Sequence, residues 1–231
     1  MNVQKYARIA GVLFLVSLVA GGFGEAYAPS KIVVSGDAAA TVANIKNFQF
    51  IYRVGFAAFL IESLCDISLA LLLYALLKPV NKYLSLLAAF FGLIATATFA
   101  CAELFYFAPL VILRSDSYSN AFSAAQLNTL VLLTMKFSLS AGMLTTVYYG
   151  MGWLVRSYLM FRSGYLPKFL GVLMAIGGAG FVVRNFLLIL APAYAFDFFL
   201  MLMMPGALIM TGWLIIKGVD LAKWNAKGST A

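Results

Sequence analysis

The sequence predicts an all-α protein: a polytopic transmembrane bundle of six helices with both termini in the cytoplasm. Three observations carry that prediction. Of 231 residues, 64% are hydrophobic and only 10% charged, against about 45–50% and 25% in soluble domains; there is too little polar side chain to cover a water-soluble surface. The apolar residues gather into six stretches of about 20 residues or more, the length a helix needs to cross a bilayer. Alternation over about ten residues, the mark of a membrane β-barrel strand, is absent. A water-soluble enzyme, a nucleic-acid-binding domain and a disordered chain are therefore excluded.

The first span covers residues 6–27. Ala26-Tyr27-Ala28 resembles a signal-peptide cleavage site, but Pro29 follows directly and blocks cleavage, so the segment is read as a retained helix. In the loop that follows, Asp37 is an N-cap for a short helix over about 38–49, with Val42, Ile45 and Phe48 on one face at the outer membrane interface. The second span covers 52–77, the third 83–113 and the fourth 127–155; the last two are long enough to tilt. Between them, residues 114–126 are rich in Ser and Asn. The fifth span covers 169–191 and the sixth 196–216, where Met201, Met203, Met204 and Met210 with Pro205 make a kinked, adaptable, lipid-facing surface. Glycines at 21, 22 and 24 and at 177, 178 and 180 allow close helix approach. Nothing outside the bilayer is long enough for a soluble domain, so residues 1–231 form one transmembrane domain.

Charge sets the orientation. The net charge of +8 reflects cations gathered on the cytoplasmic side of a membrane. One side carries Lys5, Arg8, Lys78, Lys82, Arg156, Arg162, Lys168, Lys217, Lys223 and Lys227; the other carries Lys31, Lys46, Arg53 and Arg114. That asymmetry puts the termini inside and makes the chain a multi-pass protein of the cytoplasmic (inner) membrane. Its partners are then the lipid bilayer and a small solute, ion or lipid, not nucleic acid. The chain has no histidine, which excludes His-based metal sites, proton relays and triads. Cys65 and Cys101 read as small buried side chains, and no metal or cofactor is expected.

Ionisable residues inside spans cost about 2.5–3.5 kcal/mol each by insertion scales and mark function by default. At about 1.5 Å per residue, Glu62, Glu103 and Lys136 lie about 15 Å below the outer ends of their helices, Arg184 about 10 Å and Asp66 about 20 Å. Five charges on four helices thus share a layer from the midplane outward, as mutual pairing requires. Glu62 and Asp66 share a helix face at i and i+4. The expected pairs are Glu62 or Asp66 with Lys136, and Glu103 with Arg184; Tyr106, Ser138, Ser140 and Asn185 are polar neighbours. Three carboxylates against two cations leave one acid to be protonated or balanced by a bound cation. Glu25 and Arg53, nearer the outer rim, form either a separate pair or the mouth of such a pocket.

Leu64-Cys65-Asp66, Leu69-Ala70-Leu71-Leu72-Leu73-Tyr74 and Leu76-Leu77-Lys78-Pro79-Val80-Asn81 resemble the signature of the bacterial domain-of-unknown-function 4386 family. So do Gly36-Asp37-Ala38-Ala39-Ala40-Thr41, Ala125-Gln126-Leu127 and Arg162-Ser163-Gly164-Tyr165-Leu166-Pro167. The likeness runs from about Arg8 to Val219. It implies a six-helix bacterial inner-membrane protein and supplies no activity. It also implies a histidine in the fourth span and an arginine near the start of the third; this chain lacks the histidine and has Gly92 in the third.

The functional expectation is a non-enzymatic protein that binds or passes a small charged solute or ion through an outward-facing polar pocket. Glu62, Asp66 and Glu103 form its acidic side, with Lys136 and Arg184 as counter-charges. No nucleophile elbow, Walker loop, metalloprotease or dinucleotide motif is present, and no catalytic residue is assigned. Two alternatives stay open. One is a small intramembrane enzyme acting on a lipid-like substrate through Glu62 and Asp66; the other is a structural or sensory subunit whose charges pair among themselves.

Overall fold

The computed structural model describes residues 3–196, 198–201 and 203–228, almost wholly helical and without a strand among them. Five stretches are long and apolar enough to cross a membrane: Val3–Ile32, Gln49–Leu77, Lys82–Arg114, Ala124–Ser163 and Lys168–Leu190. A sixth candidate is the pair Met203–Ile216 and Leu221–Lys227, bent by 98° at its break. Positions 197 and 202, inside the sixth expected span, lie outside the described residues.

The first stretch is not uniform. Helix α1 (Val3–Gly21) passes through one π-helical turn, Gly22–Tyr27, into α2 (Ala28–Ile32). Pro29 stands at the start of α2 and has no N–H for the carbonyl of Glu25, a loss that a wider turn accommodates. Helix α3 (Ala38–Asn47) is capped by Asp37, whose carboxylate accepts from the Ala40 N–H at 2.8 Å. Its Val42 and Ile45 are buried, whereas Phe48 is exposed because the helix has ended one residue before it. Asn44 Nδ2 donates to the Ile32 carbonyl at 3.2 Å and so ties α3 to the end of α2.

Helices α4 (Gln49–Leu77), α5 (Lys82–Arg114), α6 (Asp116–Ala121) and α7 (Ala124–Ser163) follow. At 40 residues, α7 is about 60 Å long, twice the thickness of a bilayer core. It ends only where Gly164 takes a left-handed φ of +77°, well past Val155. Helix α8 (Lys168–Leu190), a 3₁₀ turn (Pro192–Tyr194), α9 (Phe198–Met201), α10 (Met203–Ile216) and α11 (Leu221–Gly228) complete the chain.

The structure divides into two units. Unit 1 is Met1–Val16, Leu64–Thr96 and Met143–Ala231; unit 2 is Ser17–Ser63 and Ala97–Gly142. In unit 1, α7 and α8 cross where Gly150 faces Gly178. A Cβ on either would stand 2.8 Å from the other's carbonyl oxygen, so only glycine permits this approach. Trp153, Leu159, Met160, Leu170, Met174, Met210 and Leu214 fill the core beside it. In unit 2 the core is Ile32, Val42, Ile45, Tyr52, Phe59, Tyr106, Leu110, Val131 and Met135.

Candidate functional site

Within unit 2, aromatic packing holds α4 against α5. The rings of Tyr52 and Tyr106 stack at 4.6 Å, and Phe59 stands edge-on to Tyr106 at 5.3 Å. Pro109 lies inside α5 and cannot donate to the Phe105 carbonyl. One residue on, the Tyr106 carbonyl accepts a hydrogen bond from the Tyr52 hydroxyl. This double anchorage fixes the helix turn that carries Glu103, which precedes Tyr106 by three residues and so shares its face.

Glu103 is 7% exposed and Tyr106 5%. Neither Glu103 Oε2 nor the Tyr106 hydroxyl has a hydrogen-bond partner among the described residues. The Glu103 carboxyl lies within electrostatic reach of Tyr52, Tyr106 and Glu25. The Tyr106 hydroxyl points at Gly55 of α4, 3.4 Å from where a Cβ would stand.

The π-helical turn packs on the same part of α4. Gly24 packs on the Phe59 ring, 2.8 Å from a Cβ position, and Gly21 meets the Glu62 carboxylate at the same distance. Gly21 is thus set beside Glu62 and Gly24 beside Phe59, and Glu25, exposed on the turn, is the residue there that acts electrostatically on Glu103. No three Cys, Asp or Glu groups among the described residues converge on a metal-sized point. The buried acceptors here are Glu103 Oε2 and the Tyr106 hydroxyl.

The other expected residues are distributed as follows. Arg53 is exposed on α4. Lys136 is exposed on α7, forms no ion pair among the described residues, and has Ser140 donating its hydroxyl to the Lys136 carbonyl at 3.0 Å. The expected partnership of Lys136 with a span carboxylate is thus not made. Its side of the helix faces outward, as do Leu133, Phe137 and Leu139.

Arg184 and Asn185 are on α8, in unit 1. Arg184 is half-buried and Asn185 fully buried, its amide donating to the Phe181 carbonyl at 2.7 Å. Asp66 is also in unit 1, on α4. Cys65 is buried and Cys101 exposed, and both are thiols.

Unit 1 has a charged centre of its own. Arg156, counted among the flanking cations in the sequence, is 6% exposed inside α7. Its Nη2 donates to the Ala88 carbonyl at 3.2 Å and lies 2.6 Å from where a side chain on Gly92 would begin. Asp66 and Tyr149 act on it electrostatically. Asp66, Arg156, Tyr149 and Gly92 line a cavity of about 20 Å³ with Phe14, Leu69 and Trp153 among its walls, room for a single water. A positive charge read as a helix end hid this residue. The signal that reveals it is the apolar run Tyr158-Leu159-Met160-Phe161 beyond it.

Among known proteins, the family model described as Domain of unknown function (DUF4386) matches residues 9–218, nearly the whole chain. An uncharacterized protein of Archaeoglobus fulgidus is 27% identical over 158 residues, 68% of this chain and 80% of that one. No solved structure matches the chain.

Proposed function

This chain belongs to the DUF4386 family, and we propose that it is a multi-pass membrane protein that binds or passes a small organic cation at the carboxyl-lined site of unit 2. The observation that carries the reading is the burial of Glu103 Oε2 and the Tyr106 hydroxyl with no hydrogen-bond partner among the described residues. Leaving such groups unmade costs about 1–3 kcal/mol apiece, more when charged. A ligand with a positive charge and at least two N–H donors recovers both. Unit 2 also contains the two loops that carry the cations assigned to the outer side, Lys31, Lys46, Arg53 and Arg114, which supports an outward-facing site and cytoplasmic termini.

The test is a thermal-shift series on purified protein in neutral detergent with sodium, methylammonium, putrescine and tetramethylammonium. Primary amines are expected to raise Tm, by up to about 2.7 kcal/mol of stabilisation at a hundredfold excess over Kd. Tetramethylammonium, which has no N–H, is expected to do so weakly. The shift is lost in Glu103→Gln and reduced in Tyr106→Phe. A shift that persists undiminished in Glu103→Gln, or none with any amine, refutes the reading.

In unit 1 a specific observation favours a structural role instead. Asp66 stands as a charge partner of Arg156 around a cavity too small for a solute. That pair fixes helix register there.

A further inference from the structure

Lys5 and Arg8 stand three residues apart near the start of α1, followed by Ile9, Val12 and Leu13. At helical spacing the two cations and the apolar residues run down one side of the helix. A second element turns this strip into a groove. After α10 the chain reverses through Gly218, whose φ of +67° suits glycine. Gln4 clamps the reversal: its amide donates to the Lys217 carbonyl at 2.7 Å, and its oxygen accepts from the Val219 N–H at 3.0 Å. Trp224 donates to the Leu76 carbonyl at 3.1 Å and holds α11 down. Leu221, the first residue of α11, thereby stands as the far wall of a groove of about 670 Å³ whose other side is Lys5, Arg8, Ile9, Val12 and Leu13.

We propose that this groove, which is separate from the carboxyl-lined site, binds one anionic phospholipid. The phosphate lies on Lys5 and Arg8, and the acyl chains run along Ile9, Val12 and Leu13. Charge and polarity argue for that occupant together. A guanidinium and an ammonium one turn apart match a phosphodiester, and the apolar strip begins at the residue after Arg8. A free phosphate has no use for that strip, and a neutral lipid none for the paired cations. The wall formed by Leu221 gives the lipid a seat that a bare helix surface lacks.

Native mass spectrometry of the full chain, titrated with phosphatidylglycerol and with phosphatidylcholine of the same acyl chains, tests the proposal. Two basic residues at an anionic surface are worth about thirtyfold in affinity. Lys5→Gln/Arg8→Gln is expected to lower phosphatidylglycerol retention by about that factor. The exposed pair Lys78→Gln/Lys82→Gln, which removes equal charge outside the groove, is expected to leave it unchanged. Equal loss in both double variants, equal retention of phosphatidylcholine, or displacement by millimolar inorganic phosphate overturns the proposal. Lys5 and Arg8 are exposed, so neither change disturbs the core.

Discussion

Arg156 sits where a guanidinium is hard to keep. An ion taken out of water loses several kcal/mol of solvation, which only a good partner and satisfied N–H groups offset. Gly92 leaves the space, Ala88 gives a carbonyl, and Asp66 provides the opposite charge. Gly92→Ala should therefore destabilise by about 1–3 kcal/mol through overpacking. Removing one member of the pair, by Arg156→Met or Asp66→Asn, is expected to cost about 3 kcal/mol, with the half-buried carboxylate setting the lower end of the usual range. The double variant should lose less than the two singles together, by a coupling of about 0.5–3 kcal/mol. Thermal unfolding of the four proteins in detergent measures that cycle, and strict additivity would show that the two side chains do not act together. Asp66 was legible in the sequence because a carboxylate in an apolar run has no routine explanation. Arg156 was less so, because a cation after an apolar run ordinarily means the end of a span; the further run Tyr158-Leu159-Met160-Phe161 is the only sequence hint that the helix goes on, and packing shows the burial.

At the scale of elements, the parts that position the sites are short and interrupted. The π-helical turn at Gly22–Tyr27 brings Gly21 against Glu62 and Gly24 against Phe59. Its glycines and Pro29 were visible beforehand, but a widened turn depends on which carbonyl goes unpaired. Asp37 was legible as a cap because the chemistry is local: its carboxylate reaches the Ala40 N–H three residues on. The inward face of α3 was not, since an amphipathic helix carries the same pattern whether its apolar side meets lipid or protein. Asp220 caps α11 in the same way, accepting from the Lys223 N–H at 3.2 Å, with Lys223 Nζ 3.3 Å from its other oxygen. The backbone hydrogen bond from Lys223 holds this exposed carboxyl below its ordinary value. A depressed folded-state pKa stabilises above the unfolded value near pH 4, and the contribution is lost as pH falls through the folded one. Docking of α11, followed by Trp224 fluorescence in a variant retaining that tryptophan alone, should thus loosen on acidification below about pH 4. In Asp220→Asn the acid-dependent part of that change should vanish, and an identical acid transition in both proteins would assign it to another group.

For the whole molecule, composition together with the length of the apolar runs and their lack of alternation points to an all-helical membrane protein, because lipid admits few ways to satisfy a backbone. The number of crossings is a finer matter. Five stretches qualify without a break, and the last rests on α10 and the bent α11. Helix α10 has 14 residues, about 21 Å, short of the roughly 30 Å of a bilayer core. Whether the C-terminal segment crosses decides the side on which the C-terminus lies, since an odd number of crossings separates the termini and an even number keeps them together. Two features favour the even count. Lys217, Lys223 and Lys227 follow α10, matching the basic residues after α4 and around the α7–α8 turn. The Gln4 clamp also joins the start of α1 directly to Lys217 and Val219, and groups hydrogen-bonded to one another must lie on the same face of the membrane. A protease-cleavable tag at the C-terminus and another at the N-terminus should therefore both be protected in intact spheroplasts and both be cut in inverted vesicles. A tag placed in the loop after Arg114 should behave oppositely. If the two terminal tags respond on opposite sides, the sixth crossing is disproved.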